Sequence, residues 1–235
     1  SNRALRENVE NYIGELGDRN EQELLRYSRI AQEQAVKALQ ALGYYNGQVE
    51  SEVSGGDTPQ LRLRIQPGEP VRLRNITLRV EGPAAQLREF RVPRNTLKAG
   101  GVLNHGQYED VKQQILNQAS RYGFFDGRFT RQRLAIDPSV NAADVELVFE
   151  SGPRYVLGEV RFEGDSPFDP DLLARMVPFE AGTPYDSERV AELNQAMQSS
   201  GYFEGVRVDA NPANAERQRI PVAVQLTTRD PRTLG

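Results

Sequence analysis

Five residues, Gly43-Tyr44-Tyr45-Asn46-Gly47, recur twice further along the chain, as Gly123-Phe124-Phe125-Asp126-Gly127 and as Gly201-Tyr202-Phe203-Glu204-Gly205. The copies are offset by 80 residues (43 to 123) and then by 78 (123 to 201). Each copy follows an apolar run with helical spacing and precedes an alternating stretch that reads as a strand. A repeat of that period limits what 235 residues can fold into: three small tandem units in place of one large core. Each such unit buries only a modest core, which suits a chain that is 38% apolar.

In the first unit, Leu5, Val9, Tyr12, Ile13 and Leu16 form one stripe of a helix over 3–16, with Gly17-Asp18 as its stop. A longer helix over 20–42 carries Leu24, Leu25, Ala31, Ala35, Val36, Leu39 and Leu42 largely on one face. Two strands follow, 48–54 and 61–65. The second unit opens with a strand over 71–80, whose alternation slips at Arg74-Asn75. It continues with a short helix over 84–90, a helix over 108–122 with Val111, Ile115, Leu116 and Ala119 inward, and a strand pair. The third unit repeats this with strand 155–162, a short helix over 169–176, a helix capped by Asp186, and strands 206–210 and 220–226.

Pro67-Gly68-Glu69-Pro70 and Ser151-Gly152-Pro153 are the linkers. The expected domains are therefore 1–67, 68–151 and 152–229, with 230–235 leading out of the third. The fold class is α+β, each unit running strand, helix, helix, strand, strand, and the first unit lacks its opening strand. The sheet edge that this leaves unpaired invites pairing with another chain.

The inventory of reactive groups argues against an enzyme. There is no cysteine, and His105 is the only histidine, so neither a thiolate site, a histidine-pair metal site nor a serine triad with a spare base can be assembled. His105 reads as an ordinary exposed loop residue. Glu109-Asp110 and the Asp169/Asp171 pair sit at helix starts, where the dipole accounts for them. Gly55-Gly56 and Gly100-Gly101 lack the spacing of phosphate-binding loops and read as turns. No cofactor, metal or small-molecule substrate is expected. The net charge is −4, shared as −2, +2 and −4 over residues 1–66, 67–150 and 151–235, without the basic footprint of a nucleic-acid binder. No run is long and apolar enough for a transmembrane helix. The aromatic pairs Tyr44/Tyr45, Phe124/Phe125 and Tyr202/Phe203 are expected to plug the cores between helix and sheet.

The order of elements, with a Gly-aromatic-aromatic step closing the second helix at Gly43, Gly123 and Gly201, resembles the POTRA (polypeptide-transport-associated) domain. Ala181-Gly182-Thr183-Pro184-Tyr185-Asp186 is similar to the family's loop before that helix, whereas Gly106-Gln107-Tyr108 in the second unit lacks its proline. Three such domains in series resemble the periplasmic part of the TamA family, outer-membrane subunits of the translocation and assembly module. The resemblance implies a mixed three-stranded sheet, covered on one face by two helices, with the last strand central and the first two at the edges. It also implies a periplasmic location, a C-terminal outer-membrane barrel outside this chain, unfolded outer-membrane and autotransporter clients, and an inner-membrane-anchored TamB-like partner.

Within that resemblance, an edge strand offers unpaired main-chain groups to which a client segment adds as a further strand. The candidate positions are Phe129, Arg131 and Arg133 in the second unit and Val206, Arg207 and Val208 in the third. Alternatives are domains of a BamA-like assembly protein or of a two-partner secretion transporter, and a rigid spacer or scaffold that binds no client.

Overall fold

The structure is a computed structural model that describes residues 2–164 and 168–228; the stretch 230–235, expected to lead out of the third repeat, lies outside them. By contacts the chain divides into two units, Ser1–Leu78 with Pro93–Lys112 and Arg131–Leu147, and Arg79–Val92 with Gln113–Thr130 and Val148–Gly235. The elements of the second repeat are therefore shared between the two.

The first unit begins with helix α1 (Asn2–Ile13). It ends three residues short of the expected end at Leu16, because Gly14 takes φ 73 and returns its N–H to Glu10 O at 2.9 Å. Helix α2 (Glu21–Ala41) starts from a capping box: Glu23 N–H donates to Asn20 Oδ1 (3.0 Å) and Asn20 N–H to Glu23 Oε2 (2.9 Å). Leu24, Ala31, Ala35, Ala38 and Leu39 are its buried face. Leu25 falls one residue off that stripe and is 54% exposed, and Tyr12 on α1 also faces out, so the expected apolar faces were drawn too wide.

Small residues let the two helices approach closely, Val9 packing with Ala35 and Ala38, and Ile13, Val49, Leu63 and Ile65 close the cluster. Strands β1 (Gln48–Ser54) and β2 (Gln60–Gln66) form a complete antiparallel hairpin from Gln48↔Gln66 to Ser54↔Gln60. Their sheet has only these two strands, so the opening strand is missing among the described residues.

In the second repeat, β3 (Arg72–Glu81), β4 (Arg128–Asp137) and β5 (Ala142–Glu150) form a sheet in the order β3-β5-β4. The alternation of β3 slips where the sequence suggests: Arg74 and Asn75 are both exposed, and the Asn75 N–H bonds the Asp144 carboxylate at 3.2 Å. The expected helix over 84–90 is only a 3-10 turn, Pro83–Gln86. Leu87 leaves it extended, and Ala84 and Phe90 alone are buried there, too little apolar surface to hold a full helix. Helix α3 (His105–Tyr122) buries Val111, Ile115 and Ala119 at successive i+4 positions, whereas Leu116, expected inward, is 39% exposed.

The third repeat lies within the second unit. Its strands β6 (Val156–Glu163), β7 (Phe203–Asp209) and β8 (Arg219–Thr228) form a sheet in the order β6-β8-β7. β6 runs parallel to β8, with a register shift between Leu157 and Val160, and β7 runs antiparallel to it. Helices α4 (Pro170–Arg175) and α5 (Ser187–Ser199) start from the side-chain caps Asp169 and Asp186. Leu157, Leu173, Leu193, Met197, Phe203, Val222, Val224 and Leu226 make the core between these helices and the sheet.

Candidate protein-interaction site

The topology puts the second strand of each complete repeat at a sheet edge, β4 in one and β7 in the other. On β4, Phe129 is half-buried with its ring edge-on to Phe149 at 5.2 Å. Arg131 pairs with Glu146 (2.9 Å) while remaining largely solvated, and Arg133 is exposed. Residues 130–133 are exposed on both faces of the strand, which lies at the edge of its sheet with its outer main-chain groups open. On β7, Val206 and Val208 pack on the third core and Arg207 points out between them, opposite Gln225. The two edges thus differ: β7 is anchored by side chains in the core, whereas the centre of β4 adds to its ladder only surface contacts, Arg131 with Glu146 and the Thr130 hydroxyl with Val148 O.

A third open edge belongs to β2. Leu61, Leu63, Ile65 and Pro67 face Leu5, Val9 and Ile13 of α1 across a groove of about 640 Å³. Where β8 has a parallel neighbour in β6, β2 has none among the described residues. A strand in that slot would pair with β2 as β6 pairs with β8.

The repeat motif itself proves to be a joint. In the first unit, Val71 N–H donates to Gly43 O (2.8 Å), and Leu103 N–H donates in turn to Val71 O (2.9 Å). Asn46 Nδ2 reaches Pro138 O (2.9 Å) and Asn141 Oδ1 (3.0 Å). The Tyr45 hydroxyl lies 2.7 Å from His105 Nε2, and the two rings stack with centroids 6.1 Å apart. A Cβ on Gly43 would lie 2.5 Å from Leu103 O, so the close approach needs glycine as much as the φ of 92 does. His105 is therefore no exposed loop residue: it opens α3 and is half-buried against Tyr45. Burial lowers its pKa from the ordinary histidine value, partly opposed by the charge of Glu109. Burial likewise raises that of Tyr45.

The same arrangement recurs within the second unit. Tyr155 N–H donates to Gly123 O (2.8 Å) and Tyr185 N–H to Tyr155 O (2.9 Å). Phe125 stands edge-on to both Tyr155 (5.2 Å) and Tyr185 (5.0 Å). Arg154 pins the joint, donating from Nε to Tyr122 O (2.8 Å) and from Nη2 to Tyr185 O (3.0 Å), with its guanidinium over the Tyr122 and Phe124 rings. Arg121 reaches Glu188 at 2.6 Å beside it.

The aromatic pairs therefore divide their labour. Phe124 and Phe203 are buried in cores as expected, Tyr45 and Phe125 are joint residues, and Tyr44 is half-buried. Tyr202 is 51% exposed. Sequence reasoning passed over His105, Arg154 and Tyr185 as joint residues; a signal for two of them was that Pro-Arg and Pro-Tyr follow glycine within the loops and linkers.

Among the described residues no cluster of three or more acidic, histidine or cysteine groups could hold a metal, and no helix is long and apolar enough to cross a membrane. Small mixed sheets with open edges and a main-chain joint that occurs twice define a tandem array of small α+β domains. A family model described as "POTRA domain TamA domain 1" matches residues 1–67, and one described as "POTRA: Surface antigen variable number repeat" matches residues 155–229. The chain belongs to the POTRA-domain family.

Among relatives, the outer membrane protein assembly factor BamA of Neisseria meningitidis serogroup B is 22% identical over 178 residues. That match takes in 74% of this chain and 22% of the relative, so the chain spans about a fifth of that protein's length. Solved structures similar to it include POTRA3-5 of Haemophilus influenzae BamA, with TM-score 0.46, 19% identity, and coverage of 85% of this chain and 79% of that one. POTRA1-3 of the periplasmic domain of Omp85 from Anabaena has TM-score 0.38 at 15% identity, covering 96% and 89% respectively.

Proposed function

We propose that this chain is the periplasmic interaction module of an outer-membrane assembly factor of the TamA type. It receives unfolded outer-membrane or autotransporter clients and docks an inner-membrane-anchored TamB-like partner. The match of residues 1–67 to the first-domain model of TamA supports that choice over a BamA-like array or a two-partner secretion transporter. In this reading the whole protein continues into an outer-membrane barrel, and the module works by binding and not by catalysis.

The observation that carries the mechanism is the centre of β4: an edge strand whose residues 130–133 are exposed on both faces. Main-chain hydrogen bonds from such an edge hold an extended segment without demanding a particular sequence, which suits a receiver of many clients. β7 offers a second edge of the same kind, with Arg207 at its centre.

The test is a titration with a synthetic peptide of about ten alternating residues, the length of a barrel strand, followed through backbone amide NMR signals. Shifts confined to β4, β7 and their neighbours are expected. Phe129→Pro and Val206→Pro remove a main-chain donor from each edge and should abolish them. Because Phe129 packs on Phe149, Arg133→Pro is run beside it, and circular dichroism checks that every variant is folded. Undiminished binding by folded proline variants would leave these edges as spacer surface and overturn the mechanism.

A further inference from the structure

The third sheet is dented where β8 begins. Leu157 pairs with Ile220 and Val160 with Val222, so Gly158 and Glu159 of β6 both stand opposite Pro221 of β8. Proline has no N–H to give the ladder, and the extra residue bulges the neighbouring strand around it. Gly158 lies tight against β8: a Cβ there would come to 2.8 Å from Ile220 O and 3.2 Å from Arg219 Cγ. Beside these residues opens a concavity of about 690 Å³ whose charged walls are Glu159, Arg161, Glu216, Arg217 and Arg219.

The wall is strained and its cations are unanswered. Arg217 and Gln218 make the tight turn into β8, closed by Glu216 N–H to Arg219 O and Arg219 N–H to Glu216 O, both 3.0 Å. Both take positive φ, 50 and 61, in a turn that Asn-Gly ordinarily fills, so the chain holds a strained backbone where it presents a guanidinium. In the second sheet Arg74, Arg79 and Arg131 pair with Asp144, Glu81 and Glu146. Among the described residues, no hydrogen bond or ion pair holds the side chain of Arg161, Arg217 or Arg219. These three gather in a stretch, 151–235, whose net charge is −4.

We propose that this dent binds an extended segment of a protein partner that carries carboxylates at positions i and i+4 and a basic residue at i+2. Guanidiniums grip carboxylates as planar forks. Arg161 is level with Ala223, and Arg219 lies four residues earlier on β8, which sets the two about 13 Å apart along the sheet, the reach of four extended residues. Arg217 adds a second fork beside Arg219. Glu159 stands at the bulge between the two levels and meets the basic residue. A membrane surface of uniform negative charge fits less well, because Glu159 and Glu216 repel it from the same wall. The dent lies between β6 and β8, away from the β7 edge, so this binding and strand addition at β4 and β7 can each fail without the other.

The experiment titrates the 235-residue chain with a labelled peptide of about twelve residues, Ser and Thr around a central Glu-x-Lys-x-Glu, read by fluorescence anisotropy and amide NMR. Amide shifts are expected at 159–161 and 216–220. Arg161→Gln, Arg217→Gln and Arg219→Gln should each weaken binding about threefold, as exposed ion pairs do, and together about thirtyfold. Glu159→Lys should weaken it as well, and a peptide with Lys in place of one Glu should regain affinity on Arg219→Glu, a rescue that loss of folding would not give. A triple glutamine variant that binds as tightly as the wild type overturns the proposal. So does equal binding of a peptide with Gln for both Glu residues, and so do shifts confined to β4 and β7, which belong to edge addition. Phosphatidylglycerol vesicles are run beside the peptide: if they bind through the three arginines and the peptide does not bind, the dent is a membrane contact and the proposal is wrong.

Discussion

The Tyr45 hydroxyl and His105 Nε2 meet at 2.7 Å across sixty residues of chain. One is the second aromatic of the first repeat motif, and the other is the first residue of the helix that leads to the second motif. Their contact closes over two main-chain hydrogen bonds, Val71 to Gly43 and Leu103 to Val71, so the pair guards a joint. Tyr45→Phe removes the hydrogen bond and keeps the stacked ring, and should cost about 1 kcal/mol. Tyr45→Ala also removes half-buried ring surface and should cost about 2–3 kcal/mol, below the figure for a fully buried aromatic. Urea unfolding followed through the first repeat's helices measures both, and equal losses would mean that the ring adds nothing to the hydroxyl.

The same pair makes the joint sensitive to pH. Burial holds the folded His105 pKa below its ordinary 6.5, so the imidazole gives up a proton on folding, and the unfolded chain binds more protons below that value. The stability contributed by neutral His105 is thus complete above pH 6.5 and is lost as pH falls through the folded pKa. Glu109, which favours the charged ring, limits the loss, and the Tyr45 oxygen can accept from the imidazolium once it forms. A melting temperature that declines between pH 7.5 and 5.5 is expected, and His105→Gln should flatten that decline. A wild-type profile level over the range would show that the ring is not held neutral.

Asp144 sets a second, more acidic limit. Arg74 grips it with Nε at 3.0 Å and Nη2 at 2.6 Å, while Asn75 donates from its side chain at 2.9 Å and its main chain at 3.2 Å. The guanidinium bonds lower its pKa to about 2. A depressed carboxylate contributes stability above its unfolded pKa, ordinarily 3.8, and loses it as pH falls toward 2. Asp144→Asn should therefore destabilise the second repeat at pH 7, by an amount that shrinks as pH falls from 3.8 toward and through about 2. The site is exposed, so salt should shrink the effect at neutral pH.

How far the fold could be read from the residues depended on the range of the interactions. The helices, the cap at Asp186, the hairpins and the slip at Arg74-Asn75 are set by neighbours in sequence, and local pattern exposes them. Leu25 and Leu116 were misplaced because a helical stripe does not record how wide a face its neighbours cover. The joint was invisible for a different reason. Gly43, Tyr45, His105 and Asn141 are far apart in the chain, and a repeated glycine-aromatic step looks alike whether its aromatics fill a core or meet the next loop. Phe125 joins Tyr155 and Tyr185 while Phe124 beside it is buried in the core, a distinction that spacing does not encode.

The two demands on the motif glycine can be separated by experiment. Gly43 and Gly201 both have positive φ, 92 and 75, so an alanine at either should cost about 1–2 kcal/mol in backbone strain alone. At Gly201 nothing among the described residues stands within 4 Å of the added methyl, and the cost should stop there. At Gly43 the methyl would press to 2.5 Å from the Leu103 carbonyl, a main-chain atom that cannot swing aside without breaking the bond from Leu103 N–H to Val71 O. Gly43→Ala should therefore cost at least about 1–2 kcal/mol more than Gly201→Ala, in the range of an overpacked core. It should also speed amide exchange at Val71 and Leu103, which Gly201→Ala should leave alone. Equal costs for the two variants, with exchange at Val71 and Leu103 unchanged, would reduce the glycine of the first joint to a helix stop.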